Sequence, residues 1–104
     1  MTAPDGLRAG EGGRFRVEGA LTIESARDVL ESGIGLLPGD AGTVEIDLAG
    51  LTAFDSAALG VMFEWQRRTA GRGLRIRYSN LPPKLETLAR LYGVDTLLAA
   101  STDA

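Results

Sequence analysis

The stretch Val44-Glu-Ile-Asp-Leu-Ala-Gly-Leu-Thr-Ala-Phe-Asp-Ser-Ala-Ala-Leu-Gly60 carries a strand, a short loop and the opening of a helix. Val44, Ile46 and Leu48 alternate with Glu45 and Asp47, the period of a strand with one buried face. Ala49-Gly50 reads as a turn, and Leu51 to Phe54 leads into Asp55. From about Ser56 to Thr69, Leu59, Met62, Phe63 and Trp65 follow helical spacing. Asp55 suits the N-cap, where a carboxylate accepts a backbone N–H and contributes about 1 kcal/mol. Ser56 then stands at the first helical position, near the positive end of the helix dipole, where a phosphate is electrostatically favoured. Ala57 and Ala58 are small, which either lets another protein approach the helix end or serves local packing.

Working outward, residues 1–13 hold four glycines and a proline and read as a flexible lead-in or a short edge strand. Phe15, Val17 and Leu21 then mark a half-buried strand over Arg14 to Leu21. Thr22 is placed to cap a helix whose apolar stripe is Ile23, Ala26, Val29, Leu30, Ile34 and Leu37, with Gly33 and Gly35 weakening its tail. Beyond the central stretch, Gly71-Arg-Gly73 breaks the second helix, and Leu74, Ile76 and Tyr78 define a third alternating strand. Pro82 and Pro83 fit a first helical turn. Leu85, Leu88, Ala89 and Tyr92 make a packed stripe that Gly93 ends. A short apolar segment, 94–100, closes a single domain over 14–100, and 101–104 form a tail.

Strands alternating with helices give an α/β order with parallel neighbours joined by crossovers. Strands buried on both faces would read as continuous apolar runs, so the clean alternation puts the helices mainly on one face of the sheet. The other face is expected to carry Arg14, Arg16, Glu18, Glu45, Asp47, Arg75 and Arg77. An acidic strand between basic ones would make that face solvated and self-neutralised, each cross-strand pair contributing roughly 0.2–1 kcal/mol. Trp65 is either an anchor at an interface, where tryptophan is enriched, or, since it shares a helical face with Ala58 and Met62, a core or half-buried residue, the reading preferred.

Composition removes whole classes of chemistry. The 104 residues include no histidine and no cysteine, which excludes Ser-His-Asp and Cys-His nucleophile systems and the usual zinc sites. Lys84 is the only lysine, and no Gly-rich phosphate-binding motif occurs. The expectation is a protein that is not an enzyme, with no cofactor and no metal. A net charge of -3 argues against nucleic-acid binding. No run of about 18 apolar residues is present, so no membrane insertion is expected. A first segment without a basic or apolar region points to the cytoplasm.

Leu48-Ala-Gly-Leu-Thr-Ala-Phe-Asp-Ser-Ala-Ala-Leu-Gly60 resembles the D-S-[ST]-G-L-G region of STAS domains, the family of anti-sigma factor antagonists. Gly19-Ala-Leu-Thr22 is similar to that family's early G-x-L-[DT] corner. The resemblance implies a STAS fold: a small mixed, largely parallel, four-stranded sheet with helices packed mainly on one face. It also places Ser56 at the position that regulatory members phosphorylate, with Asp55 as the carboxylate before it. Phe63-Glu-Trp65 and the stretch from Asn80 to Leu98 look like the MlaB branch. Members of that branch are cytoplasmic, bind the ATPase subunit (MlaF) of the Mla phospholipid ABC transporter, and support its assembly and activity at the inner membrane. By that likeness the partner-binding residues are Thr22, Asp55, Ser56, Ala57 and Ala58, with Glu64, Arg67 and Arg68 along the helix. The alternative is an anti-sigma factor antagonist that releases its anti-sigma factor kinase once Ser56 is phosphorylated. Regulatory antagonists favour Asp where this chain has Thr22, and a small hydroxyl then glycine where it has Ala57 and Ala58. Those departures favour the transporter branch.

Overall fold

Alternating strands and amphipathic helices fold as their periods dictate. The computed structural model describes residues 5–94. Along the chain run β1 (Gly6–Ala9), β2 (Arg14–Leu21), α1 (Ala26–Leu36), β3 (Gly42–Phe54), α2 (Ala57–Ala70), β4 (Leu74–Ser79) and α3 (Pro83–Leu91). The four strands lie in the order β1-β2-β3-β4. β1 is antiparallel to β2, whereas β2, β3 and β4 are parallel neighbours. Parallel neighbours need crossovers, and α1 and α2 supply them.

The inward side chains of the sheet are the expected ones. Val17, Leu21, Val44, Ile46, Leu48, Leu74, Ile76 and Tyr78 are buried, and Leu7 joins them from the edge strand. α2 contributes Ala58, Leu59, Val61, Met62 and Trp65, and α3 adds Leu85 and Ala89. On the opposite face β3 sits between β2 and β4, with Arg14 in register with Glu45, Arg16 with Asp47, and Glu45 with Arg77. Glu45 and Asp47 are half-buried, as a self-neutralised outer face requires. Glu45 accepts a hydrogen bond from Ser79 Oγ (3.2 Å), and Glu18 pairs with Arg16 (3.1 Å) and Arg8 (3.7 Å).

Four readings of the sequence need correction. Ala49-Gly50 does not turn the chain, because β3 continues to Phe54. It does so with two irregularities. Arg16 and Glu18 on β2 face Asp47 and Gly50, and Gly19 and Ala20 face Leu51 and Ala53, so β3 accommodates an extra residue each time. Asp47 Oδ1 accepts the Ala49 N–H (2.8 Å) at the first of them. Gly50 is glycine because a Cβ there would lie 2.7 Å from the Val17 carbonyl oxygen of the neighbouring strand. Secondly, Ile23 is not part of the core stripe; it is 77% exposed. α1 begins only at Ala26, after a turn over 22–25. Thirdly, Tyr92 caps α3 and is 61% exposed rather than packed. Finally, Gly33 is no weak tail of α1. It is where the Trp65 ring lies against the helix: a Cβ there would stand 2.6 Å from Trp65 Cζ2. The apolar segment expected over 94–100 falls outside the described residues except for Val94, which packs against the core.

Candidate functional site

β2 and β3 end side by side, their last paired residues being Leu21 and Phe54. The chain therefore leaves the sheet twice at the same end of the two central strands, into α1 and into α2. Here the first exit is a turn built by Ser25. Its Oγ accepts the Thr22 N–H (3.1 Å) and donates to the Ala20 carbonyl (2.9 Å). The Ala26 N–H donates to the Thr22 carbonyl (2.8 Å), so the helical pitch of α1 reaches back to this turn.

The second exit is Asp55. Its Oδ1 accepts the Ala57 N–H (2.8 Å), capping the start of α2 as the sequence pattern indicates. Its Oδ2 accepts the Ile23 N–H (3.1 Å) from the other exit. The Asp55 N–H also donates to the Leu21 carbonyl (3.4 Å). One carboxylate thus joins both loops. Ser56 follows in helical geometry, exposed, and its side chain makes no cap hydrogen bond. Its hydroxyl stands beside the positive end of the α2 dipole.

From this corner a groove runs between α1 and α2. Ala26, Leu30, Ala57, Gly60 and Val61 form its apolar floor, and Arg27, Glu31, Glu64 and Arg68 stand along it. The charged side chains are held by one another. Arg67 donates to both oxygens of Glu64 (2.6 and 2.8 Å), and Arg68 bridges Glu64 (3.1 Å) and, from across the helices, Glu31 (3.1 Å). The Arg67 hydrogen bond leads in drawing the Glu64 carboxyl down from 4.5 to about 2, with desolvation opposing it and Arg68 assisting. Glu64 in turn pushes both guanidinium groups further up.

The structure therefore brings Thr22, Asp55, Ser56 and Ala57 together in one corner and sets Glu64 and Arg68 along the adjoining groove. Arg67 is exposed, and its charge is spent on Glu64. Ala58 is fully buried in the core, so it seats α2 on the sheet and offers no surface of its own. Sequence reasoning missed Ile23, Arg27, Leu30, Glu31, Gly60 and Val61. Gly60 had a usable signal, because a glycine inside a helix costs about 1 kcal/mol against alanine and so stands out from the pattern around it. A second, open depression on the far face of the sheet is lined by Gly10, Glu11, Gly12, Arg14, Phe15, Arg16, Glu45 and Asp47, with charges of both signs. Among the described residues no helix is long and apolar enough to cross a membrane.

Comparison with known proteins agrees with this architecture. The family described as MlaB, STAS domain, matches residues 7–99, and the chain belongs to that family. No curated protein matches the sequence. Among solved structures, the anti-sigma factor antagonist SpoIIAA in its unphosphorylated form is similar in fold, with a TM-score of 0.68 at 13% identity. That match covers 89% of this chain and 84% of SpoIIAA. A crystal structure of Mglu matches 72% of this chain with a TM-score of 0.55 at 23% identity. The chain spans only 19% of that much longer protein. The fold is the SpoIIAA-like STAS fold, related to that of anti-sigma factor antagonists.

Proposed function

We propose that this STAS protein is a non-catalytic accessory subunit that docks on the cytoplasmic ATPase of an Mla-type phospholipid ABC transporter and supports its assembly and activity. The observation that carries the reading is the exposed Ser56, immediately before Ala57 on the floor of the α1/α2 groove. The carboxylates beside it are already engaged: Asp55 by two backbone amides, Glu64 by two arginines. What remains open is shape and apolar surface. Ala57 and Gly60 keep the groove floor low, so a partner element can approach the α2 backbone closely. Favouring one assembled state of a partner takes a coupling free energy of about 1–3 kcal/mol, which contacts alone supply. On this reading the protein is cytoplasmic and reaches the inner membrane only through its partner.

A second reading, an anti-sigma factor antagonist released from its kinase by phosphorylation of Ser56, draws on one observation: the hydroxyl is exposed and capping does not occupy it. A phosphate there would add up to about two negative charges beside Asp55. Thr22, Ala57 and Ala58 depart from the regulatory pattern and favour the transporter reading.

The test is a pull-down of tagged protein from its native host, with wild-type and Ser56→Glu baits side by side. Recovery of an ABC ATPase and permease by the wild type, and their loss from the substituted bait, is the expected result. Recovery of a histidine-kinase-like anti-sigma factor instead would overturn the transporter reading in favour of the partner switch.

A further inference from the structure

Capping α2 needs one acceptor, yet residue 55 uses two. A serine or asparagine caps a helix about as well as aspartate does, but each brings a single acceptor oxygen to the helix start. The Asp55 carboxylate brings two, one oxygen accepting from Ala57 and the other from Ile23, a residue 32 positions away in the chain. The second bond has a particular address. Ile23 is 77% exposed, so its side chain has little packing to hold the loop in place. Its backbone is held by Asp55 and by the Ser25-built turn around it. One helical turn further on, Ala26 and Arg27 line the groove, and Leu30 does so one turn beyond them. A residue at position 23, with the pitch of α1 extended back by the Ala26–Thr22 bond, prolongs that same line to the Ser56 corner.

We propose that Asp55 is a positioning residue, whose carboxylate latches the β2–α1 turn onto the start of α2 and so holds the exposed Ile23 as the apolar end of the docking surface. The inference rests on the docking reading of this corner and deepens it. It makes the partner's complementary feature an apolar one, facing Ile23, and assigns Asp55 a role in placing that contact and none in touching the partner.

The latch is tested on the isolated protein by amide hydrogen exchange, comparing wild type, Asp55→Ser and Asp55→Asn. Serine keeps a cap for Ala57 but has no second oxygen for Ile23. The expected result is an Ile23 amide that exchanges about tenfold faster or more, as loss of a hydrogen bond to a charged acceptor implies. The Ile46 amide of the central strand β3 and the Ile76 amide of β4 should keep their wild-type rates. An Ile23 amide unchanged in both variants would overturn the latch. Acceleration of the core amides by the same factor would also overturn it, because Asp55 would then stabilise the fold as a whole. The same variants and Ile23→Ser are then used as pull-down baits. Reduced partner recovery by Asp55→Ser and Ile23→Ser is expected, and wild-type recovery by Asp55→Ser with a freed Ile23 amide would refute the positioning role. A wild-type bait that recovers no ATPase would sink the docking reading, while the exchange data would still decide the latch.

Discussion

Two glycines two residues apart in α1 should respond to alanine with opposite signs. At Gly35 a Cβ would meet nothing within 4 Å, and the residue is exposed. Gly35→Ala should therefore gain the helix propensity difference, about 0.8–1 kcal/mol. At Gly33 the same propensity gain is available, but the new Cβ would stand 2.6 Å from Trp65 Cζ2 and 2.7 Å from Cε2 and Nε1. The indole has no room to withdraw: it is fully buried, and its Nε1–H donates to the Leu30 carbonyl at 3.1 Å. Relief must come from moving α1 off α2 or rotating the ring away from Leu30. Overpacking of this kind costs about 1–3 kcal/mol, and a broken indole hydrogen bond adds roughly 0.5–1.5 kcal/mol. The penalty exceeds the propensity gain, so Gly33→Ala should be destabilised by about 1–3 kcal/mol net. Urea unfolding read by the fluorescence of Trp65, the single tryptophan, measures both variants with one probe. With a slope of roughly 1–2 kcal/mol per molar, the midpoints should separate from wild type in opposite directions by about half a molar or more. A Gly33→Ala protein as stable as wild type would refute the rigid seating of Trp65 on α1.

Three further outcomes follow from the contacts described. Gly50→Ala should lose about 1–3 kcal/mol in chemical denaturation, because its Cβ would meet the Val17 carbonyl of β2 at 2.7 Å, and a strand backbone yields less readily than a side chain. Tyr78→Phe removes the buried hydroxyl that donates to the Met62 carbonyl (2.7 Å) and should cost about 1 kcal/mol in the same assay. Glu64 titrates at about 2 in the folded chain against 4.5 ordinarily, so its contribution to stability is complete above pH 4.5 and lost as pH falls toward 2. Thermal midpoints of wild type and Glu64→Gln should accordingly converge over that window, the difference being small at an exposed, screened site. Midpoints that keep a constant separation from pH 6 to pH 2 would contradict the ion-pair geometry.

The sheet was legible because its strands are wetted on one face only. Arg14 to Leu21 and Leu74 to Tyr78 advertise their orientation residue by residue, and the folded sheet places the acidic β3 between basic neighbours. Where reasoning along one strand failed, the cause lay on another. Gly50 looks like a turn in isolation, and only the Val17 carbonyl of β2 explains why a glycine stands within a continuing strand. Gly33 looks like helix weakness until the Trp65 ring, far along the chain, is set against it. A periodic stripe records position around a helix and says nothing of where neighbours end. Ile23 fits the α1 period, but the turn over 22–25 carries it past the edge of the packed helices into solvent.

The same distinction divides the candidate site. The bond from Ala57 to Asp55 spans two residues and is written in the Asp-Ser pattern; the bond from Ile23 to the same carboxylate has no local signature. A sequence therefore announces a helix cap where the folded chain holds a junction between two loops. That changes which small residues matter at the corner. Ala58, fully buried, is small so that α2 can rest on the sheet. Ala57 and Gly60, on the groove floor, are small where a partner would press, and enlarging either should weaken docking without unfolding the chain. Gly60 is the cleaner probe, because a Cβ there meets nothing within 4 Å and a modest gain in helix propensity accompanies it. A Gly60→Leu bait with normal thermal stability and lost partner recovery would place the contact in the groove. Undiminished recovery would move it off the groove altogether, leaving the exposed Ser56 and Ile23 to carry it.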